Sequence, residues 1–271
     1  MSWQARTELL LGEENIAKLR SAHVLVVGLG GVGSAACEHL CRAGIGELTI
    51  VDGDVVNETN RNRQLPALVS NQGVLKAEIM AKRLLDINPD LTLHVFPEYV
   101  KDQRMLDILK LATYDFVVDA IDTFSPKTYL IVHCLNLGLP LVSSMGAGGK
   151  TDPTQIQIAD IAQTYQCPLA DALRKRLHKL GYYSGFHAVF SAENVREHSI
   201  LHCEDEVNKK STVGTISYMP PTFGAYCASV VIRELIGEQV VSALPIPTRI
   251  KKRIAEKLET HYGHFGSAQC P

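Results

Sequence analysis

The glycine-dense stretch Gly28-Leu29-Gly30-Gly31-Val32-Gly33 constrains this chain more than any other. It stands between an apolar run, His23–Val27, that reads as a strand and a helix-like segment at residues 34–42. A second apolar strand, Glu47–Val51, follows and closes on Asp52. Strand, glycine turn, helix and strand in that order form the context in which G-x-G-x-x-G binds a nucleotide. Gly28 permits the tight turn, Gly30 lets the backbone approach a phosphate, and Gly33 lets the helix pack close to the strand. The helix N-terminus offers N–H groups to an anion. A carboxylate placed like Asp52, at the end of the second strand, accepts hydrogen bonds from a ribose.

The residues that come next decide which nucleotide is expected. Asp52-Gly53-Asp54 and Thr59-Asn60-Arg61-Asn62-Arg63-Gln64 put acids, asparagines and arginines just past the strand. A nicotinamide enzyme has no evident need of that cluster, whereas a triphosphate offers charge for arginines to neutralise bidentately. Lys76 adds a cation near the start of the next amphipathic segment, 72–88. Asp119-Ala120-Ile121-Asp122 ends a later apolar strand, 116–118, which places carboxylates at the C-terminal edge of a sheet, where open α/β folds bind ligands. ATP is therefore expected rather than a dinucleotide. Gly28, Gly30 and Gly31 would supply backbone room and N–H groups, Asp52 the ribose contact, and Asn60, Arg63 and Lys76 the phosphate contacts.

With these residues in view, the sequence resembles the ubiquitin-activating-like adenylyltransferases. The likeness is carried by GLGGVGS (28–34), DGD (52–54), TNRNRQ (59–64), the lysine of GVLKAE (73–78) and DAIDT (119–123). Within that superfamily it looks most like the tRNA threonylcarbamoyladenosine dehydratases, through SPK (125–127), GAGGKTDPTQIQIADIAQT (146–164) and PLADALRKRL (168–177). The matches run from about the start of the chain to residue 236.

The resemblance implies ATP with Mg2+, and leaves open a monovalent cation, Na+ or K+. It implies that Asp122, with Thr123 beside it, places the metal and the phosphates; a hard cation that keeps several waters needs only one carboxylate. Arg63, Lys76 and Asp122 become the catalytic candidates. The chemistry implied is attack of a carboxylate on the α-phosphate to give an acyl-adenylate, in which the protein aligns two anions and neutralises developing charge. The implied partners are tRNA and a second copy of the chain. In the superfamily an arginine of the partner subunit reaches the ATP phosphates; Arg6 is the nearest candidate, but its loose register reads better as a plain surface arginine.

Two other functions fit parts of the pattern. One is an adenylyltransferase for the C-terminus of a ubiquitin-like sulfur-carrier protein; such relatives commonly carry zinc on two C-x-x-C pairs, and this sequence has none. Cys167 and Cys203 are the candidates for a nucleophile that such chemistry uses, each against the plainer reading of an incidental or buried thiol. The other is a nucleotide-binding regulatory module without activity, against which Arg63, Lys76 and Asp122 speak.

Composition bounds the rest. In 271 residues, a hydrophobic share of 46% and a charged share of 21% describe an ordinary globular chain, and a net charge of −2 argues against wholesale coating of nucleic acid while leaving room for a local basic patch. No segment reads as a signal peptide or a membrane span, so a cytoplasmic enzyme is expected. The seven cysteines form no C-x-x-C pair and suit reduced thiols, with Cys37 and Cys41 on one helix face.

Strands and helices alternate through residue 143, which predicts an α/β, Rossmann-like, doubly wound sheet, mostly parallel. Residues 154–158, 187–191 and 212–217 read as strands that extend the sheet antiparallel in the C-terminal half. Residues 3–20 read as a helical arm, 168–180 as a basic amphipathic helix, 193–211 as a mobile polar loop and 223–236 as an apolar helix. One domain is expected over residues 1–240, with a linker and short basic helix over 241–271. The loop at 146–149 reads equally as a strand-ending turn and as a substrate contact. His187 reads as a satisfied core histidine. His198 and His202 have a metal-compatible spacing on a helix but read better as part of the polar loop. Arg174-Lys175-Arg176 and the group Arg249, Lys251, Lys252, Arg253 read as solvated faces; under the resemblance they become candidates for gripping tRNA phosphates.

Overall fold

The computed structural model describes residues 2–202, 211–240 and 248–262. Runs of apolar residues too short for helices, such as HVLVV, can bury both faces only inside a sheet covered on each side. Seven such strands form it: β1 His23–Val27, β2 Glu47–Val51, β3 Thr92–Phe96, β4 Phe116–Asp119, β5 Leu141–Ser144, β6 Ile156–Asp160 and β7 His187–Ser191. Their order is β3-β2-β1-β4-β5-β7-β6. All neighbours run parallel except β6 and β7. The expected doubly wound, mostly parallel sheet is therefore present, with one antiparallel edge.

Two expectations for the C-terminal half are corrected. Residues 187–191 do not pair antiparallel with the main sheet: β7 lies parallel beside β5, and β6 caps it from outside. The residues expected to form a strand at 212–217 do not join this sheet; β9 Ser211–Val213 pairs with β8 Ile200–His202 as a separate antiparallel pair. An alternating pattern says which side chains face the core, but strand direction is set by the connections.

Helices α1 Ala5–Leu11 and α2 Glu13–Ser21 make the N-terminal arm, which is broken at Gly12 with φ 81°. Then come α3 Gly33–Ala43, α4 Lys76–Ile87, α5 Asp102–Leu111, α6 Phe124–Leu137, α7 Pro168–Lys179, α8 Met219–Leu235 and α9 Thr248–Tyr262. The α4 pattern begins at Lys76 rather than residue 72, because Gly73 adopts φ 80° and residues 73–75 are not helical. The expected linker at 241–247 and the chain end after 262 lie outside the described residues.

Alternate residues of β1 feed two cores. Val24 and Val26 join α2, α3, α4 and α8 on one face; Leu25 and Val27 join α5, α6 and α7 on the other. Helices α3 and α8 approach backbone to backbone, since a Cβ on Gly224 would lie 2.3 Å from Val32 O. Among the described residues no helix is long and apolar enough to cross a membrane.

Candidate active site

Strand order reverses between β1 and β4: from β1 the chain builds outward to β2 and β3, then returns to β4 on the other side. The crevice at the carboxyl ends of the strands there is where doubly wound folds take ligands. Val27 is in register with Val51 on one side and Asp119 on the other, so the three strand ends lie together. The glycine turn leaves β1 at that point.

Its glycines are required for different reasons. Gly28 has φ 91°, and a Cβ there would lie 2.8 Å from Ala120 O. On Gly33 a Cβ would lie 1.7 Å from Gly28 O, so the turn folds back on the start of α3. Gly31 is covered by Pro220 and by Arg63 O. Gly30 alone opens on space: a Cβ there would meet only Gln64 Nε2, at 3.7 Å. A cradle closed behind and open in front suits an anionic ligand on backbone N–H groups, and no side chain caps the α3 N-terminus.

Asp52 ties the second strand to this turn. One carboxylate oxygen accepts from Leu29 N at 2.5 Å and the other from Asp54 N at 2.7 Å. Burial pushes its carboxyl up, against the pull of Lys76 and those two N–H bonds. Lys76, only 4% exposed, donates Nζ–H to Asp54 Oδ2 at 2.7 Å. Tyr99 donates its hydroxyl to Asp54 as well, and that bond first, then burial, pushes its phenol up to about 12.

The next loop lies over the turn. Asn60 is buried and its Oδ1 accepts from Asn57 N at 3.1 Å in a capping box, so its NH2 group is the part that suits a phosphate. Arg63 donates from Nη1 to Thr59 O at 2.8 Å and to Asn62 Oδ1 at 2.9 Å. Asn62 donates to Thr215 O at 2.9 Å, which links the arginine loop to the segment after β9. Asp122 is exposed and Thr123 half-buried, at the N-terminus of α6, where Thr123 is the N-cap residue.

Sequence reasoning gave no role to the group that holds the Asp122 loop. Lys127 and Asp119 have fully buried side chains and pair at 2.8 Å. Lys127 also donates to Ile121 O at 2.9 Å, Ser143 donates to Asp119 Oδ2 at 2.6 Å, and Ile121 N donates to Asp119 Oδ1 at 3.1 Å. The signal was a lysine on the apolar face of α6, three residues into SPK. Gln64 was also missed as a site residue: it sits beside Gly30, and its Oε1 is buried with no hydrogen-bond partner.

The loop at 146–149 is packed, with both readings of it consistent with its place. Gly149 has φ 73° and its N–H donates to Gly214 O at 2.7 Å, while a Cβ on Gly148 would lie 3.0 Å from Val213. The segment expected as a loop at 193–211 thus contributes part of a strand pair that covers these glycines. Lys150, 2% exposed, donates to Ser191 O and Glu193 O, and burial pulls its pKa down. Glu193 in turn accepts from Thr151 N and Asp152 N, each at 2.8 Å.

The remaining candidates resolve as follows. Cys37, Cys41 and Cys167 are buried thiols, while Cys203 lies outside the described residues. Arg174 is not a solvated cation: it donates to Thr164 O at 2.8 Å and to Asp171 at 3.2 Å. His187 is satisfied at one nitrogen only; Nε2 lies 2.5 Å from Glu234 Oε1, and Nδ1 is buried without a partner. His198 lies in a 3-10 turn and residue 202 in β8, so they share no helix face. Arg6 is exposed on α1.

Comparison with known proteins agrees with this geometry. The ThiF family model matches residues 2–259. The tRNA threonylcarbamoyladenosine dehydratase of Bacillus subtilis is 38% identical over 251 residues, covering 92% of this chain and 96% of that protein. The Escherichia coli protein of the same name is 46% identical over 179 residues, 65% of this chain and 66% of its own length. The crystal structure of E. coli TcdA, a tRNA N6-threonylcarbamoyladenosine dehydratase in complex with ATP, superimposes with a TM-score of 0.77 at 38% identity, covering 86% of this chain and 93% of that one. The chain belongs to the ThiF family and, within it, to the tRNA threonylcarbamoyladenosine dehydratases.

Proposed function

We propose that the protein uses ATP to adenylate the threonyl carboxylate of N6-threonylcarbamoyladenosine in tRNA and closes that nucleoside to its cyclic form. The observation that carries the reading is the convergence, at the switch between β1 and β4, of an open glycine cradle with Lys76 and Asp52 on one side and the Asp122 loop on the other. ATP phosphates would lie on the N–H groups of residues 28–33, with Arg63, Lys76 and the Asn60 amide against them and Gln64 beside Gly30. Asp52 would take the ribose. Asp122, with Thr123, would hold Mg2+, which supplies positive charge against the phosphates. A monovalent cation, Na+ or K+, belongs to the same proposal.

The chemistry asks little covalent work of the protein. The carboxylate oxygen bonds to the α-phosphorus as the bond to the bridging oxygen of the β-phosphate breaks, and pyrophosphate leaves. Lys76 exchanges Asp54 for the triphosphate and, with Arg63, meets the charge that builds up. The tethered carbamoyl group then attacks the acyl carbon, AMP leaves with the bonding electrons, and a proton is released; the nucleoside has lost one water. That closure is intramolecular and gains the effective molarity of a held reactant, so no nucleophilic cysteine is needed. Keeping water from the adenylate falls to the 146–149 loop and the β8–β9 pair above it.

A tRNA needs cations, and two helices supply them together. Arg253 of α9 stacks over Tyr183 at 5.5 Å and Lys257 lies 4.9 Å from the Tyr182 ring, which seats the basic helix against the end of α7. On α7 itself, Lys175, Arg176 and Lys179 are exposed. RNA held on such a face dissociates steeply with salt. The protein is proposed to act as a homodimer in the cytoplasm. Mass spectrometry of tRNA nucleosides from cells lacking the protein tests the whole reading. Loss of the cyclic nucleoside with build-up of threonylcarbamoyladenosine is expected; an unchanged profile would contradict it, and adenylation of a protein C-terminus instead would favour the sulfur-carrier function.

A further inference from the structure

A second cluster lies at the other, N-terminal ends of the same strands. The parallel register pairs His23 of β1 with Glu47 of β2, and Thr49 of β2 with His94 of β3. Glu47 and Thr49 are two residues apart, so all four side chains stand on one face of the sheet. Glu47 Oε1 lies 3.4 Å from His23 Nδ1 and 2.8 Å from His94 Nε2. One ligand atom from each of the three residues falls within 4.8 Å of the others.

The surroundings prepare His23 as a ligand. Its Nε2 is 2.8 Å from Thr49 Oγ1. Donation of Nε2–H to that hydroxyl leaves the Nδ1 lone pair directed toward Glu47, the arrangement by which an outer partner fixes the tautomer of a metal-bound histidine. Asp115 accepts His23 N–H at 2.8 Å and adds negative charge beside the cluster.

Bonds of about 2.0–2.2 Å in a tetrahedron separate ligand atoms by about 3.3–3.6 Å. The His23–Glu47 edge already has that length. The side chains of His94 and Glu47 are 47% and 37% exposed, so they have room to adjust and leave a fourth position open to water. We propose that His23, Glu47 and His94 bind a divalent transition-metal ion, with zinc the best match to two imidazoles and a carboxylate. The ion would clamp edge strand β3 to β1 across β2. The cluster is separated from the glycine turn by the length of β1, about 16 Å at 3.3 Å per residue, so it would brace the sheet without joining the reaction.

The test uses metal-stripped full-length protein without nucleotide, titrated with Zn2+ by calorimetry and with Co2+ by visible absorption. Wild type is expected to bind one zinc per chain, to show the absorption of tetrahedral cobalt, and to melt at a higher temperature with zinc. His94→Ala, at an exposed position, and Glu47→Gln, at a half-buried one, should fold, and should lose the cobalt band and the zinc-dependent rise in melting. Thr49→Val should weaken binding about tenfold or more. His198→Ala should change nothing. Absence of zinc binding to wild type would overturn the proposal, as would binding unchanged in folded His94→Ala or lost in His198→Ala; the cluster would then be an imidazole–carboxylate bridge only.

Discussion

Lys127 and Asp119 carry opposite charges where neither side chain is exposed, and both spend their hydrogen bonds on the loop that presents Asp122. Removing one partner strands the other charge in the core. Lys127→Met should therefore cost about 3–5 kcal/mol of stability, measured by urea unfolding; a loss below about 1 kcal/mol would show that the pair does not hold this loop. Lys76 contrasts with it. Its hydrogen-bond partner Asp54 keeps a side chain 44% exposed, so Lys76→Ala leaves that carboxylate in contact with water. That variant should melt near wild type while turnover falls on the order of 10²-fold or more. Equal activity in a folded Lys76→Ala would remove the phosphate site from this place. The difference between these lysines also marks what was legible. The glycines, Asp52 and Lys76 belong to local motifs whose spacing has a direct physical meaning. The Lys127, Asp119 and Ser143 group joins α6, β4 and β5, and no spacing along the chain announces it. Gln64 escaped for a similar reason: only the fold places it beside Gly30.

At the scale of elements, the strands and helices through β5 follow from hydrophobic period and punctuation, because each carries its pattern locally even where a distant element, such as α8 on α3, completes its burial. The C-terminal half is different. The direction of β7 depends on α7 and its connections, and the β8–β9 pair is held by contacts with glycines far earlier in the chain, such as Gly149 N to Gly214 O. Glu193 fastens this region. Burial raises its carboxyl, but bonds from Asp152 N, Thr151 N and the Thr151 hydroxyl, with Arg196 nearby, hold it below its ordinary 4.5. A depressed carboxyl contributes stability that is present above its unfolded value and lost as pH falls through its folded value. Wild type should therefore be more stable than Glu193→Gln at pH 7, with the gap closing as pH drops below 4.5. Melting curves across that range check this; a gap that stayed constant would mean the carboxylate does not fasten the loop.

For the molecule as a whole, the N-terminal arm leaves an apolar surface uncovered: Leu9 is 88% exposed, Leu10 81% and Trp3 51%. Such a patch suits burial against a second copy. Light scattering at working concentration should give the mass of two chains, and Leu9→Glu with Leu10→Glu should give the mass of one; a monomeric wild type would leave the arm without that role. The doubly wound architecture was legible from the alternation of strands and helices, since few topologies bury such a pattern. The substrate was not, because the groups that recognise an RNA nucleoside are spread over loops and helix ends that meet only in the fold. The central claim is that ATP is spent to drive one water from a tRNA nucleoside. Its most direct test incubates purified protein with tRNA carrying threonylcarbamoyladenosine, ATP and Mg2+, then counts products by mass spectrometry and chromatography. The account predicts cyclic nucleoside, AMP and pyrophosphate in equal amounts, with Cys167→Ala still active. Release of ADP and phosphate, or AMP formed without any change in the nucleoside, would contradict it.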